Sequence, residues 1–410
     1  MVKWKRQAAL LCLAACLACG GAFAPPRQAQ SAAPALPCAV GAVFAAQQSP
    51  LTHRFLEAGG TRLPLSHREA YVPLSPGQKA ARWLSALSPA QKVGQLLLVR
   101  FPLSGAQELA QEVQPGGYLL FARDVARQTP DSLRELLESC QSGVLVPMLT
   151  GVDEEGGTVV RISAFAQYRE SPFPSPRELM EGGGSEAAAR DAGEKAALLL
   201  SLGINLNLGP VCDIADDPKA FLYARSAGDN AEVVSEFVRA VVTASRQQGL
   251  GCVLKHFPGY GNNADTHVGE AVDRRPLEAF ESRDFLPFEA GIEAGAGAVM
   301  VSHNTMCCVD ETLPASLSPA VHALLRGELG FDGVVVSDDL DMAAVAQGAD
   351  QGELAVAALL AGNDLLCTGS PLEASQALLR ALDEGRLSPE RLDQSVFRIL
   401  LWKASLGLLP

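Results

Sequence analysis

The run Phe331-Asp332-Gly333-Val334-Val335-Val336-Ser337-Asp338-Asp339-Leu340 is an apolar strand that stops abruptly in two carboxylates. Consecutive β-branched residues suit a strand buried on both faces, as in a parallel sheet covered by helices. Such a core has no place for two carboxylates. The run therefore predicts that Asp338 is exposed at the strand's C-terminal end, facing a cleft. Asp339 at that point also suits the cap of a following helix.

Working outward, similar apolar runs recur at Val93–Phe101, Gly117–Phe121, Val146–Asp153, Ile204–Asp213, Cys252–Phe257, Ala298–His303 and Asp364–Thr368. Between them lie amphipathic stretches such as Asp131–Ser142, Glu186–Ser201, Ala231–Gln248, Leu277–Ala294 and Gly352–Ala361, and Pro371–Leu401 reads as one or two closing helices. Short apolar strands alternating with longer helices mark repeated β–α units and a parallel sheet. The α/β pattern fits a single (β/α)8 TIM barrel over residues 80–410, with no second domain to place. A doubly wound sheet needs fewer strands and a nucleotide fingerprint, and the chain has neither a G-x-G-x-x-G entering a helix nor a P-loop. Asp153, Asp213, Lys255, His256, His303 and Asp338 all fall at strand C-termini, the face that carries the active site of such a barrel.

The 410 residues carry a net charge of −13, which argues against nucleic acid or an anionic membrane as the main partner. Cys16-Leu17-Ala18-Cys19 is a Cys-x-x-Cys pair with no second such pair in the chain to complete a zinc site, and the ten cysteines read as small buried hydrophobes; a bond between neighbours Cys307 and Cys308 would be strained. Lys3, Lys5 and Arg6 precede an apolar run from Ala8 to Ala18, too short to span a bilayer and typical of an export signal. Leu13-Ala14-Ala15-Cys16 resembles the lipobox of bacterial lipoproteins, which implies acylation of Cys16 and a signal peptide over 1–20. Residues 21–79 form the expected tether and N-terminal extension, rich at first in Ala, Pro, Gln and Ser. An exported protein on a membrane anchor, or secreted, is the expectation.

The densest polar constellation is Lys255-His256-Phe257-Pro258-Gly259-Tyr260-Gly261-Asn262-Asn263-Ala264-Asp265-Thr266-His267. A strand delivers Lys255 and His256 to the mouth. A glycine-rich loop then returns with Asp265 and His267, where the carboxylate can fix the tautomer of the imidazole and raise its basicity. This segment resembles the Lys-His-(Phe/Ile)-Pro-Gly-x-Gly-x4-Asp-(Ser/Thr)-His signature of β-N-acetylglucosaminidases in glycoside hydrolase family 3. Most members have His where this chain has Tyr260. The likeness extends over nearly all of residues 80–400, through Asp153-Glu154-Glu155-Gly156-Gly157-Thr158-Val159-Val160-Arg161, Tyr223-Ala224-Arg225-Ser226-Ala227-Gly228 and Gly330–Met342.

The resemblance implies Asp338 as nucleophile, His267 and Asp265 as the acid/base pair, and Asp153, Arg161, Arg225, Lys255 and His256 as sugar-binding residues, with no metal and no cofactor. Glu154 (for Gln), Thr158 (for Arg) and Ala227 (for Phe) depart from the family pattern, the last beside Arg225. The implied activity is a retaining β-N-acetylhexosaminidase acting on carbohydrate, and with export the substrate becomes N-acetylglucosamine in peptidoglycan fragments. Alternatives of the same fold are a β-glucosidase or β-xylosidase and an N-acetylglucosaminide phosphorylase. From another class, an inactive cell-wall-binding lipoprotein is opposed by intact Asp265, His267 and Asp338. Asp213 and His303 read as structural hydrogen-bonders, and His53, His67 and His322 as surface residues.

Overall fold

A computed structural model describes residues 73–263, 266, 269 and 271–410. The expected signal peptide with Cys16, most of the tether with His53 and His67, and the pair Asp265 and His267 lie outside the described residues.

The strands are β1 (Leu97–Arg100), β2 (Gly117–Leu120), β3 (Leu149–Val152), β4 (Leu206–Asn207), β5 (Gly251–Phe257), β6 (Val272–Asp273), β7 (Ala298–Val301), β8 (Thr305–Met306), β9 (Val334–Ser337) and β10 (Leu366–Thr368). Eight of them form one parallel sheet in the order β10-β1-β2-β3-β4-β5-β7-β9. Its two ends meet: the Asp364 and Leu365 amides donate to the Val335 carbonyl at 2.7 and 3.0 Å, and the Ser337 amide donates to the Leu365 carbonyl at 2.9 Å. The sheet thus curls into a nearly closed barrel. Helices fill the connections, among them Pro130–Ser142, Pro176–Ser201, Ala231–Gln248, Phe285–Glu293, Pro319–Gly327 and Gln351–Ala361, and Pro371–Asp383 and Pro389–Ser405 follow β10. β6 and β8 pair separately, tying the segment after β5 to the segment after β7.

A recurrent dipeptide starts the helices. Ser75-Pro76, Ser88-Pro89, Thr129-Pro130, Ser175-Pro176, Ser318-Pro319 and Ser388-Pro389 each put a hydroxyl at the N-cap and proline in the first turn. The hydroxyl accepts from a free first-turn amide, and proline has no amide to leave unpaired there. This start signal shortens the expected strand at Val93: the helix begun by Ser88 runs through Gln95, so the strand spans only Leu97–Arg100. In the run at Ile204 only Leu206–Asn207 form a regular strand; the ladder is interrupted at Pro210, which has no N–H to donate, and resumes as a bridge between Val211 and Lys255. Leu277–Ala294 breaks into a short α-turn, a π-helical turn at Phe280–Asp284 and a helix at Phe285–Glu293. Pro287 cannot return an N–H to the Arg283 carbonyl, which favours the wider turn before it.

Two sequence expectations are corrected here. His322 is buried, not on the surface: it shares the inward face of Pro319–Gly327 with Val321 and Leu325, and its Nδ1 lies 2.9 Å from the Ser318 carbonyl. Asp339 does not cap the next helix, Ala343–Ala346, which begins after Met342 without a side-chain cap. The six described cysteines are free, and Cys140, Cys212, Cys252 and Cys367 are buried as expected while Cys308 is exposed. Among the described residues no helix is long and apolar enough to cross a membrane.

The N-terminal rim of the barrel holds charge of its own. Asp364, fully buried, accepts from Arg326 Nη2 (2.6 Å), Ser395 Oγ (2.5 Å), the Val335 amide (3.1 Å) and Arg398 Nη1 (3.2 Å). Lys403, also fully buried, donates to Gln95 Oε1 at 2.7 Å, while Gln95 Nε2 donates to the Gln114 carbonyl at 2.9 Å. At the other end of β5, Phe257 stacks on Phe285 (5.4 Å between centroids) and meets Phe288 edge-on (5.3 Å). Buried aromatic contacts of this kind fix the end of the strand that carries Lys255 and His256.

Candidate active site

Three loops at the C-terminal mouth meet in a chain of buried polar contacts. Asp153 and Glu155 follow β3, Asp213 and Arg225 follow β4, and Lys255 and His256 lie in β5. Lys255 Nζ contacts Asp153 Oδ1 and Glu155 Oε1, each at 2.6 Å. Arg225 grips Glu155 with two parallel bonds, Nε to Oε2 at 2.9 Å and Nη2 to Oε1 at 2.8 Å. The same Nη2 lies 3.2 Å from His256 Nε2, and His256 Nδ1 lies 2.7 Å from Asp213 Oδ2. A guanidinium can only donate, so Nε2 is the acceptor and Nδ1 donates to Asp213. Asp213 also accepts from the amides of His256 (3.0 Å) and Tyr260 (2.8 Å), the structural role its position suggests.

The electrostatics of this chain favour permanent charge. Burial alone would push the Glu155 carboxyl up, but Lys255 and Arg225 together outweigh it and hold Glu155 well below the usual carboxylate range. Burial pulls Lys255 down, and Asp153 and Glu155 more than compensate, so its ammonium is held above its ordinary value. Sequence reasoning did not place Glu155 in the sugar-binding set. The available signal was three consecutive acids, Asp153-Glu154-Glu155, at the end of a buried strand, which require cationic partners. Glu154 serves the backbone instead. Its carboxylate accepts the amides of Arg161 and Ile162, both at 2.8 Å, and of Ser163 at 3.1 Å, folding the loop after β3.

Arg161 is brought to this loop by that amide contact, but its guanidinium makes no ion pair among the described residues. The structure therefore gathers Asp153, Arg225, Lys255 and His256 into one unit and leaves Arg161 beside it.

Asp338 follows β9 on the same face of the barrel, with 9% of its surface exposed. Its amide donates to the Val301 carbonyl at 2.9 Å, and its Oδ1 accepts from the Asp339 amide at 2.9 Å. Asp339 turns away to pair with Arg100 at the end of β1 and to accept from the Asp341 amide at 3.1 Å. Burial, partly offset by Arg100, pushes Asp339 up to about 6. His303 braces this turn, with Nε2 2.9 Å from the Asp339 carbonyl and Nδ1 2.7 Å from Ser316 Oγ. Among the described residues no group of three or more His, Cys, Asp or Glu could hold a metal ion. The mouth thus combines a rigid set of donors and acceptors suited to sugar hydroxyls with a separate carboxylate at a strand end.

A parallel barrel with carboxylates and cations at this mouth defines a class that comparison with known proteins makes specific. The chain belongs to glycosyl hydrolase family 3: the model of that family's N-terminal domain matches residues 89–401. Among curated relatives, a β-hexosaminidase of Methylococcus capsulatus is 35% identical over 276 residues, covering 67% of this chain and 81% of the relative. A β-hexosaminidase of Xanthomonas campestris is 38% identical over 233 residues, covering 56% and 69%. Among solved structures, the family 3 β-N-acetylglucosaminidase of a Paenibacillus species superimposes with a TM-score of 0.75 at 35% identity, covering 78% of this chain; this chain spans 63% of that one. The β-N-acetylhexosaminidase of Beutenbergia cavernae gives a TM-score of 0.66 at 28% identity, covering 78% of this chain and 99% of its own.

Proposed function

We propose that the protein is a retaining β-N-acetylhexosaminidase that releases terminal β-linked N-acetylglucosamine. The observation that carries this is the presence of a strand-end carboxylate, Asp338, on the same barrel mouth as the Asp153–Lys255–Glu155–Arg225–His256 chain, in a member of a family whose similar relatives are β-hexosaminidases. Asp338 attacks the anomeric carbon while His267, oriented by Asp265, gives its proton to the departing glycosidic oxygen. The C–O bond breaks with its electron pair on that oxygen, leaving a covalent glycosyl-enzyme. His267 then takes a proton from water, the water oxygen bonds to the anomeric carbon, and Asp338 is released. A histidine in this role has an ordinary pKa of about 6.5, so both protonation states are accessible near neutrality. Asp153, Lys255, Arg225 and His256 hold the hydroxyls of the ring, with Arg161 assisting.

We further propose that the enzyme is exported, anchored through an acylated Cys16 and a tether, and that its substrate comes from peptidoglycan fragments. The basic start, the short apolar run and Leu13-Ala14-Ala15-Cys16 support this. Rates on chromogenic N-acetylglucosamine, glucose and xylose glycosides, each with and without phosphate, test the activity. Preference for the N-acetylglucosamine glycoside without stimulation by phosphate is expected. A preference for glucose, or release of a sugar phosphate, would replace the proposal with a glucosidase or a phosphorylase.

A further inference from the structure

Tyr260 contacts both the His256 side of the mouth and the loop that carries Thr266. Only 2% of it is exposed. Its amide is held by Asp213 Oδ1 at 2.8 Å, and its ring meets the His256 imidazole edge-on, 5.4 Å between centroids at 83°. On the other side its ring lies 6.1 Å from that of Phe221. Its hydroxyl bonds to Oγ1 of Thr266, which is fully buried. Thr266 is the residue between Asp265 and His267.

The stem of the same loop is fixed independently. Asn263 Nδ2 donates to Asp273 Oδ2 at 2.8 Å, and Arg275 clamps Asp273 and Asp284, both at 2.8 Å. The pairing of β6 with β8 adds a second tie at the stem. Those contacts lie at the two ends of the loop. The contact between Tyr260 and Thr266 acts at the middle. A buried hydroxyl needs a partner, so the phenol and the threonine specify one another.

We infer that Tyr260 is a positioning residue for the acid/base loop: its hydroxyl holds Thr266, the chain neighbour of both Asp265 and His267, and through it acts on the pair. The inference rests on the reading of His267 as acid/base. A positioning role of this kind has a signature that a packing role lacks. It should matter where protonation of the leaving oxygen limits the rate, and little where the leaving group departs unaided.

The test measures kcat and KM for wild type, Tyr260→Phe, Thr266→Val, the double variant and His267→Ala. Two substrates are used, an N-acetylglucosamine disaccharide and an aryl N-acetylglucosaminide with an activated leaving group. Tyr260→Phe keeps the ring and its contacts with His256 and Phe221. It should lower kcat on the disaccharide on the order of 10- to 100-fold, a fraction of the 10²–10⁴ typical of a general acid, with KM within about twofold. On the activated glycoside the loss should stay below about threefold. Thr266→Val, which removes the same bond from its other end, should behave alike, and the double variant should lose no more than either single one. If His267→Ala discriminates between the substrates but Tyr260→Phe and Thr266→Val slow both equally, or if their losses multiply, the positioning role is overturned and the acid/base reading stands. If His267→Ala slows both substrates equally, the acid/base reading falls and takes the positioning role with it. If Tyr260→Phe does not fold, Thr266→Val decides.

Discussion

Replacing Lys403 by methionine should stabilise the protein at pH 7 and destabilise it at pH 10. The ammonium is fully buried on the helix that closes the barrel's N-terminal rim, where it donates to Gln95 Oε1 at 2.7 Å. Burial lowers its pKa from the ordinary 10.5 to about 7. Between those values the unfolded chain binds a proton that the folded protein releases, so stability rises with pH across that window. At pH 7 the penalty is about 4 kcal/mol, and by pH 10 it has shrunk to about 1 kcal/mol. Methionine removes the penalty but leaves Gln95 Oε1 without its donor, a loss of about 1–3 kcal/mol. The net change is a gain of about 2 kcal/mol at pH 7 and a loss of about 1 kcal/mol at pH 10. Urea unfolding of both proteins at several pH values measures the difference directly, and titration of every other group cancels in it. A difference that stays flat from pH 7 to pH 10 would show that Lys403 keeps an ordinary pKa and would refute the reasoning.

Asp364→Asn should cost about 3 kcal/mol in urea unfolding, because it leaves partly buried guanidinium groups with a neutral partner, while KM stays within about twofold. Glu155→Gln removes the charge shared by Lys255 and Arg225; it should lower stability by a similar amount and also raise KM at least about tenfold, since Asp153 and His256 lose their common support. A Glu155→Gln enzyme with an unchanged KM would separate this chain from sugar binding. A 2-fluoro sugar that forms a slow glycosyl-enzyme should label Asp338 on peptide mapping, and Asp338→Ala should abolish turnover; label on another carboxylate would sink the assignment. Intact-mass analysis of membrane-bound protein from the native host should show loss of residues 1–15 and gain of acyl chains on Cys16, whereas a lipid-free protein beginning later would remove the anchor.

Much of the barrel is legible in the sequence because a strand covered on both faces must be apolar along its whole length. Val334–Ser337 and Gly251–Phe257 announce themselves in this way. Ends are harder to place. The apolar run at Val93 passes from helix to strand with no change in composition, and the boundary is visible only as the Ser88–Pro89 start. In the run at Ile204 a proline interrupts the ladder in the middle of an apolar stretch. The candidate site divides along a similar line. Residues at strand ends, such as Asp153, Lys255, His256 and Asp338, can be found by position. Glu155 cannot, because its importance lies in Arg225, 70 residues away in the chain. His322 is misjudged for a related reason: a histidine gives no sequence signal that distinguishes a solvated ring from one bonded to its own helix.

The chain from Asp153 to Asp213 carries three carboxylates, two fixed cations and one imidazole, so it nearly cancels its own charge. A pocket floor of that kind offers a substrate dipoles in fixed directions but little field to attract an ion from a distance. It suits an uncharged ring whose hydroxyls match those directions. A sugar bearing a phosphate or a carboxylate on the gripped ring would find Lys255 and Arg225 already engaged. Discrimination against charged sugars would then be built into the resting protein and need no residue devoted to repelling them.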